Sequence, residues 1–309
     1  MATNEAVETD GDELREEGDG VYPLKREHPL YKQIAAMSGT LNVMTDSNRR
    51  EELKQLGLSH RGCPEVILKR LKTHLRSKLI RADVTAPREL TAQVDTNPMG
   101  LEYLCVLDFE ATCEEVNPSD YIHEIIEFPV VLLNLATLKI EAEFHSYCRP
   151  WLHPILSKFC THLTGITQSQ VNTAPQFTDV LVKFNRWLDE RDLGSVHKFA
   201  VVTDCPWDIR NCLFPQCALA SVVFPKYMIR WIDMRKMFGS FYQAAPGNLT
   251  TMLHNLDMQF EGREHCGRDD ARNIARVMTK MIEDGCVLRY NRALPQQTVV
   301  QYGNSSGRR

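Results

Sequence analysis

The chain has 309 residues, of which 43% are hydrophobic and 25% charged, and its formal net charge is −4. This length suits one domain of ordinary size plus a smaller one, and the apolar fraction excludes a wholly disordered chain. No uncharged run is long enough to cross a bilayer and no apolar signal segment opens the chain, so we expect no membrane association. The ten cysteines contain no C-x-x-C pair, which favours a reducing, intracellular compartment.

The N-terminal third changes abruptly in charge. Residues 1–24 carry eight acidic side chains and one basic side chain, and we predict that residues 1–46 form a disordered acidic N-terminus and a connector. Residues 49–82 carry ten basic and three acidic side chains, a net charge of +7. A local excess of positive charge inside an acidic protein indicates contact with nucleic acid.

Residues 47–82 are predicted to form two helices separated by a turn at Gly62, and residues 83–99, which contain Pro87 and Pro98, to form a linker. In the second helix, apolar residues recur at helical spacing and basic residues occupy the other faces. Four of these are the candidate RNA-binding residues: Lys69, Lys72 and Arg76, which share one face, and Arg70 beside them. The alternative to an RNA-binding module is a helical hairpin whose basic face is only solvated.

Residues 100–290 show strands first and then strands alternating with helices, a pattern that predicts a mixed-sheet α/β domain. The predicted strands are 104–107, 125–135, 138–144, 199–202 and 231–234, and the predicted helices are 177–188, 249–256 and 270–282. The second and third strands are separated by only a few residues, which favours an antiparallel hairpin, and strict alternation from Leu138 to Phe144 predicts that the third strand faces the core on one side. Residues 291–309 are predicted to be a flexible tail.

Two carboxylates follow the first predicted strand. In the run Leu107-Asp108-Phe109-Glu110, Asp108 and Glu110 lie two residues apart, so an extended backbone points both to the same side. Carboxylates held this close repel one another unless a cation lies between them, and Mg²⁺ prefers carboxylate and phosphate oxygens. Alone, the pair could equally be two charges on a solvated strand edge.

Two further acidic segments follow. The strand that ends near Val202 leads into Asp204 and Asp208, and the run His265-Cys266-Gly267-Arg268-Asp269-Asp270 precedes an amphipathic helix. Taken singly, these aspartates could cap helices, and the histidine could be an ordinary loop residue. Taken together, the order is D-x-E, an aspartate about 100 residues later, and then H-x-x-x-x-D.

This order resembles that of the DEDDh exonucleases, proofreading-type nucleases with an RNase H-like fold. More closely, five separated blocks resemble the exoribonuclease family that trims histone mRNA 3′ ends, 5.8S ribosomal RNA and small interfering RNA. They are LDFEATCEE, HEIIEFPVVLLN, LTGITQSQV, TDCPWD and EGREHCGRDDARNIAR. The resemblance covers roughly residues 100–290. The basic two-helix segment resembles a SAP domain, which precedes the nuclease in some members of that family.

The resemblance implies roles for individual residues. The four metal-binding carboxylates would be Asp108, Glu110, Asp208 and Asp270, which would hold two Mg²⁺ ions that Mn²⁺ can replace. Asp208 is preferred to Asp204 because the corresponding superfamily aspartate follows an aromatic residue, as Asp208 follows Trp207. Asp204 is then expected to be a cap or a supporting group, and Asp269 the cap of the helix that carries Asp270.

The resemblance also implies the nucleotide site. The Ala111 backbone would contact the terminal nucleotide, and Phe159 and Leu163 would enclose its base, although core packing would also account for both. Glu110, Trp207 and His265 complete the expected nucleotide contacts. Glu110 and His265 are expected to be catalytic, with His265 taking a proton from the attacking water, because histidine titrates near working pH.

The expected activity is 3′-to-5′ hydrolysis of RNA to nucleoside 5′-monophosphates, on structured RNAs with short 3′ tails. A DNA exonuclease of the same superfamily and a noncatalytic RNA-binding protein are the alternatives. The expected partners are RNA and proteins of RNA processing or small-RNA pathways, in the cytoplasm and the nucleus, including the nucleolus.

Overall fold

The computed structural model describes residues 29–82 and 97–295. Its helices, in chain order, are α1 Pro29–Val43, α2 Asp46–Gln55, α3 Pro64–Ala82, α4 Lys158–Thr164, α5 Gln168–Thr173, α6 Phe177–Asp189, α7 Phe214–Leu219, α8 Met234–Tyr242, α9 Leu249–Asn255 and α10 Gly267–Glu283. A π-helical segment, Asp208–Leu213, leads directly into α7, and a short 3₁₀ turn spans Lys226–Met228. The strands are β1 Tyr103–Leu107, β2 Glu110–Ala111, β3 Ile125–Asn134, β4 Lys139–Tyr147, β5 Phe199–Thr203, β6 Arg230–Asp233 and β7 Arg292–Ala293.

These strands form one seven-stranded sheet in the order β2-β3-β1-β5-β6-β7, with β4 paired to β3. β1 is antiparallel to β3 and parallel to β5, and β5 is parallel to β6. The predicted antiparallel hairpin is formed by β3 and β4. The prediction of a mixed-sheet α/β domain is therefore confirmed.

The core lies on both faces of the sheet. Cys105 and Leu107 of β1 pack on one face with α6 and α7, whereas Leu104 and Val106 pack on the other with α8, α9 and α10. All four side chains are fully buried. Helices on both faces explain why the central strands are nearly continuous apolar runs rather than alternating ones.

The prediction that β4 faces the core on one side is confirmed only in part: Phe144 is buried in the core and Ala142 packs against it. Of its alternating residues only Phe144 is buried, and Ile140 is 39% exposed. β4 is paired only to β3, on the side of the sheet away from β1. An outer strand reaches the core only where a helix covers it, and here Phe144 meets Phe184 and Trp187 of α6.

Two predicted segment boundaries need correction. Residues 29–43, assigned to the disordered terminus and connector, form α1, whose Leu41 is buried with Leu53, Ile67 and Leu71 of α2 and α3. The predicted flexible tail begins too early, because β7 pairs with β6 and Leu294 is buried. The remainder of the predicted N-terminus (1–28), most of the predicted linker (83–96) and the rest of the tail (296–309) lie outside the described residues. Within the described ranges, no helix is long and apolar enough to cross a membrane.

The N-terminal helices dock against the C-terminal end of α10 through a buried ion pair. Arg70 of α3 donates to both carboxylate oxygens of Asp284 at 2.7 Å, and its remaining nitrogen donates to the carbonyls of Ser59 and Arg61. The hydroxyl of Tyr242 donates to the same carboxylate at 2.8 Å. Arg70 is only 4% exposed, and all three nitrogens of its guanidinium group donate to groups inside the protein. Its assignment as an RNA-binding residue is therefore wrong.

Removing Arg70 should destabilise the protein strongly. Arg70→Ala leaves the buried Asp284 without its cation, and we expect the free energy of unfolding to fall by about 3–5 kcal/mol. Arg61→Ala is the control, because Arg61 is 72% exposed and 3.9 Å from Asp257, and exposed pairs contribute about 0–1 kcal/mol. Urea denaturation of both variants measures the difference, and similar losses would contradict the structural role of Arg70.

Candidate active site

Three predicted metal-binding carboxylates meet at one edge of the sheet. Asp108 follows β1, Glu110 lies in β2, and Asp270 lies in the first turn of α10. One carboxylate oxygen from each falls in a group whose members lie within 4.8 Å of one another. Glu110 and Asp270 are buried, whereas Asp108 keeps part of its side chain open to solvent. The arrangement can therefore hold a cation that remains accessible to a substrate.

Asp208 lies beside this group. It begins the π-helical segment after β5, and its Oδ1 accepts a hydrogen bond of 2.9 Å from the backbone N–H of Phe109. Phe109 stands between Asp108 and Glu110, so this bond fixes the two acidic segments to each other. The ends of the parallel strands β1 and β5 lie at the same sheet edge, which is why carboxylates 100 residues apart in the sequence meet.

The pKa values of all four carboxyl groups are raised. Burial, and then the charges of Asp208, Asp270 and Glu110, raise the pKa of Asp108 well above its ordinary value. Burial likewise raises the pKa of Glu110, with Asp270 as the next cause. The pKa values of Asp208 and Asp270 rise to about 7, mainly through burial.

This donor set fits hard divalent cations. Buried carboxylates that repel one another are stabilised by a multivalent cation, and oxygen ligands suit Mg²⁺ or Mn²⁺ better than softer metals. Asp108, Glu110 and Asp270 are the residues that would hold it, with Asp208 adjacent to Asp108.

Asp204, which the sequence analysis weighed against Asp208 as the metal-binding aspartate, pairs with an arginine instead. Its carboxylate forms an ion pair with Arg235 at the start of α8, and the backbone N–H of Arg235 donates to its carbonyl at 3.0 Å. Burial raises the pKa of Asp204, and Arg235 opposes that rise. Asp204 therefore joins β5 to α8 as a supporting residue, while Asp233 is the N-cap residue of α8.

Asp208 and Asp204 should respond differently to substitution. Asp208→Ala should remove nearly all activity because it takes a carboxylate from beside Asp108. Asp204→Ala should retain more of the rate and act mainly through stability, because it leaves Arg235 partly buried without its partner. Single-turnover rates and melting temperatures of both variants test this expectation. The opposite ranking of the two rates would show that the metal-binding aspartate has been misassigned.

The segment that leads into α10 places His265 at the mouth of the site. His265 is exposed, and its φ of 59° lies in the left-handed region, where non-glycine residues are uncommon and strain often marks a functional position. Its backbone N–H bonds to the carboxylate of Asp270, which lowers the pKa of Asp270 against the larger effect of burial. The backbone of His265 therefore lies next to a metal ligand.

Asp269 is not the helix cap that the sequence suggests. The N-cap residue of α10 is Cys266, and its side chain forms no capping hydrogen bond. Asp269 lies within the first turn, where its Oδ2 accepts from the backbone N–H of Arg263 at 3.0 Å. It therefore holds the loop that carries His265.

Phe159 and Leu163 lie four residues apart on α4 and thus share one face. Phe159 is 37% exposed, Leu163 is partly exposed, and neither belongs to a hydrophobic core cluster among the described residues. Core packing therefore does not account for this face. Arg263 donates to the carbonyls of His162 and Leu163 at 2.8 and 3.0 Å, which links α4 to the loop of His265.

Ala111 and Trp207 lie next to the metal-binding carboxylates. Ala111 is buried in β2 directly after Glu110, and its carbonyl accepts from the Cys160 thiol of α4 at 3.6 Å. Trp207 precedes Asp208, is 38% exposed, and meets the His123 ring edge-on at 5.1 Å between centroids. An exposed aromatic ring beside a carboxylate cluster is a suitable surface for a nucleotide.

Two buried carboxylates, one directly before β3 and one within it, were not singled out in the sequence analysis. Glu124 accepts backbone N–H bonds from Trp151 and His153 at 2.6 and 2.7 Å. Glu127 contacts both α10 and β4. Both are at most 2% exposed. The available signal was an ionisable residue inside an otherwise apolar strand, because a buried charge persists only with dedicated partners.

A family model for exonucleases matches residues 105–278, the span that contains all four carboxylates and His265. The chain belongs to this exonuclease family. It is 42% identical over 265 residues to 3′-5′ exoribonuclease 1 of Homo sapiens, covering 85% of this chain and 73% of that protein. It is 40% identical over 199 residues to the 3′-5′ exonuclease Snipper of Drosophila melanogaster, covering 60% of this chain and 71% of that one.

Solved structures agree with this membership. The nuclease domain of 3′hExo, a DEDDh family member bound to rAMP, is similar with a TM-score of 0.62 and 47% identity, over 63% of this chain and 98% of that one. A 3′-exonuclease structure described as showing 3′-end specific recognition of the histone mRNA stem-loop has a TM-score of 0.62 and 46% identity, over 63% and 88% of the two chains. The RNase H-like fold and 3′-to-5′ exoribonuclease activity expected for this exonuclease are thereby confirmed, and divalent cations are the cofactor class that the family implies.

Proposed function

We propose that this exoribonuclease trims the 3′ tails of structured RNAs with two Mg²⁺ ions, for which Mn²⁺ can substitute. The single observation that carries the metal assignment is the group of Asp108, Glu110 and Asp270, whose oxygens lie within 4.8 Å of one another. The histone mRNA stem-loop named for one similar structure supports structured RNA as the substrate class, and the family resemblance adds 5.8S ribosomal RNA and small interfering RNA. The sites of action would be the cytoplasm and nucleus, with RNA-processing or small-RNA pathway proteins as partners.

The proposed reaction adds water to the last phosphodiester and breaks the bond between phosphorus and the 3′ oxygen of the preceding nucleotide. The metal ions, when bound, would neutralise the charge that develops on the phosphate. His265 would accept the proton of the attacking water, and the face of α4 formed by Phe159 and Leu163 would hold the terminal base. The backbone of Ala111, beside Glu110, would position the terminal sugar, and contacts to its 2′-hydroxyl would favour RNA over DNA.

A direct test uses 5′-labelled RNA and DNA oligonucleotides of the same sequence, incubated with Mg²⁺ or with EDTA. We expect stepwise shortening of RNA from its 3′ end with Mg²⁺ and none with EDTA, with nucleoside 5′-monophosphates as products. Equal cleavage of DNA would favour the DNA exonuclease alternative. RNA binding without cleavage in Mg²⁺ would favour the noncatalytic one.

The remaining basic candidates of α3, Lys69, Lys72 and Arg76, would contact the structured part of the RNA. We call these three residues the RNA grip. Burial and the nearby charges of Lys69 and Arg49 lower the pKa of Lys72, so these cations are close enough to repel one another. Such a cluster is stabilised by a polyanion. A cleft of about 720 Å³ between α3 and the end of α10 is partly lined by further basic residues, namely Lys78, Arg81 and Lys280.

The grip and the metal site lie at opposite ends of α10. The 17 residues of this helix span roughly 25 Å at about 1.5 Å per residue. The docking through Arg70 and Asp284 fixes that separation. We propose that an RNA stem held at α3 spans this distance and presents its unpaired tail to the metal site.

Point substitutions in α3 test the grip, because deleting the helices would expose the buried Asp284. Lys72→Ala with Arg76→Ala should weaken binding to a stem-loop RNA and reduce the slope of log affinity against log salt by about 0.7–0.9 per lost phosphate contact. Cleavage of a short single-stranded oligonucleotide should stay unchanged. The control is Lys139→Ala, an exposed lysine at the start of β4. Equal salt slopes for the variant and the wild-type protein would mean that these charges form only a solvated face.

A further inference from the structure

A buried glutamate connects the two elements that carry metal-binding carboxylates. Glu127 lies in β3, directly opposite Glu110 of β2 in the sheet register. Its Oε2 accepts from the backbone N–H of Gly267, the first residue of α10, at 3.0 Å. Its Oε1 lies 2.7 Å from Nε2 of His145 on β4. Glu127 thus touches the start of the helix that bears Asp270 while sitting beside the strand that bears Glu110.

The start of α10 is packed closely against the catalytic strand. A Cβ atom added at Gly267 would lie 2.5 Å from the carbonyl oxygen of Asp108, 3.0 Å from Cγ of Pro129 and 3.2 Å from Oε2 of Glu127. No side chain fits between the helix and these atoms. The position of α10 along this contact therefore sets the distance between Asp108 and Asp270, which lies three residues beyond Gly267.

We propose that Glu127 is a positioning residue for the metal site, which holds α10 in place so that Asp270 meets Asp108 and Glu110. Both of its carboxylate oxygens are engaged by protein groups, so it acts through Gly267 and binds no metal itself. His145, on the outer strand, fixes the orientation of the Glu127 carboxylate. This inference rests on the proposed metal site.

The chemistry of the contact suits this role. A helix N-terminus exposes backbone N–H groups and a partial positive charge, which favour a carboxylate there. α10 receives no capping bond from its own Cys266, and Glu127 provides the acceptor from another element. Residues that orient metal ligands typically contribute 10–100-fold to metal affinity or activity, whereas a residue that only caps a helix contributes to stability alone.

The experiment measures Mn²⁺ binding by isothermal titration calorimetry on the full chain without substrate. Glu127→Ala should weaken Mn²⁺ binding by roughly 10-fold or more at a temperature where its melting curve shows it folded. Glu127→Gln should keep most of the affinity, because its carbonyl oxygen can accept from Gly267 while its amide lies within hydrogen-bonding distance of the His145 ring. kcat/KM against Mg²⁺ concentration should follow the same order.

The matched control is Glu143→Ala. Glu143 binds the side chain of Arg272 of the same helix through two bonds of 2.7 and 2.8 Å, so it also anchors α10 to β4. Unlike Glu127, Glu143 holds a flexible side chain and not the backbone of the helix start, so its loss should leave Mn²⁺ affinity unchanged. Wild-type affinity in a folded Glu127→Ala protein, or equal losses in the alanine and glutamine variants, would overturn the positioning role. A wild-type protein that binds no Mn²⁺ would overturn the metal site and this inference together.

Discussion

Asp108→Asn should abolish trimming of RNA 3′ ends while leaving the fold intact. The substitution removes one negative charge and almost no volume from a residue at the centre of the carboxylate group. We expect the single-turnover rate with Mg²⁺ to fall by at least about 100-fold, since even residues that only support metal ligands typically contribute 10–100-fold. Trimming at the wild-type rate would contradict the metal assignment.

The same substitution should raise the stability of the metal-free protein. The pKa values of Asp108, Asp208 and Asp270 are raised in the folded state, the latter two to about 7, whereas an aspartate in an unfolded chain has a pKa of about 3.9. The folded state therefore holds more protons between these values, and its stability falls as the pH rises from about 4 through about 7. In EDTA, the wild-type melting temperature should decline over this range.

Asp108→Asn removes one partly buried charge and its repulsion with the neighbouring carboxylates, so the melting temperature of the variant in EDTA at neutral pH should exceed that of the wild type. Saturating Mg²⁺ should narrow or reverse this difference in melting temperature, because only the wild-type protein is stabilised by the full binding free energy of the ions. Differential scanning calorimetry at several pH values, with and without Mg²⁺, measures both effects. A wild-type melting temperature that is independent of pH in EDTA would mean that burial and the neighbouring charges do not raise the pKa values of these carboxylates.

His265→Ala should slow the chemical step by roughly 10²–10⁴-fold without changing the fold. His265 is exposed and contacts Asp270 through its backbone N–H, a bond that alanine can retain, although the left-handed φ of 59° remains unfavourable for both residues. If the neutral imidazole accepts the proton of the attacking water, the rate should rise with pH as the ring loses its own proton. The variant should lack that rise.

The pH profile separates His265 from the metal-binding groups. Single-turnover rates of the wild type and of His265→Ala at saturating Mg²⁺ should differ in the shape of the acid limb as well as in height. His254→Ala, in α9, is a suitable control because it changes a histidine outside the site. A His265→Ala protein that keeps the wild-type profile would show that another group activates the water.

The sequence determined the catalytic domain and its acidic residues. The apolar runs at β1, β3 and β5, of which only β3 carries an internal charge at Glu127, are long enough to be assigned without a structure, since strands buried on both faces are nearly continuous apolar runs. Asp108 and Glu110 follow one of these strands and Asp208 follows another. The order of the motifs therefore indicated one site, and the structure places three of their carboxylates together.

Only the tertiary structure decided what the other charged residues do. Arg70 and Lys72 are two residues apart on one basic helix, yet Arg70 is buried against Asp284, 214 positions away, while Lys72 stays partly exposed. Asp204 and Asp208 both follow β5, yet Asp204 pairs with Arg235, whereas Asp208 accepts a hydrogen bond from the backbone N–H of Phe109. Glu127 looks like a misplaced charge in an apolar strand until α10 supplies Gly267 as its partner. Spacing along the chain predicts which residues share a helix face or strand face, because that depends on local geometry. The partner of a charge depends on which distant elements pack together, and a single sequence does not carry that information in its local pattern.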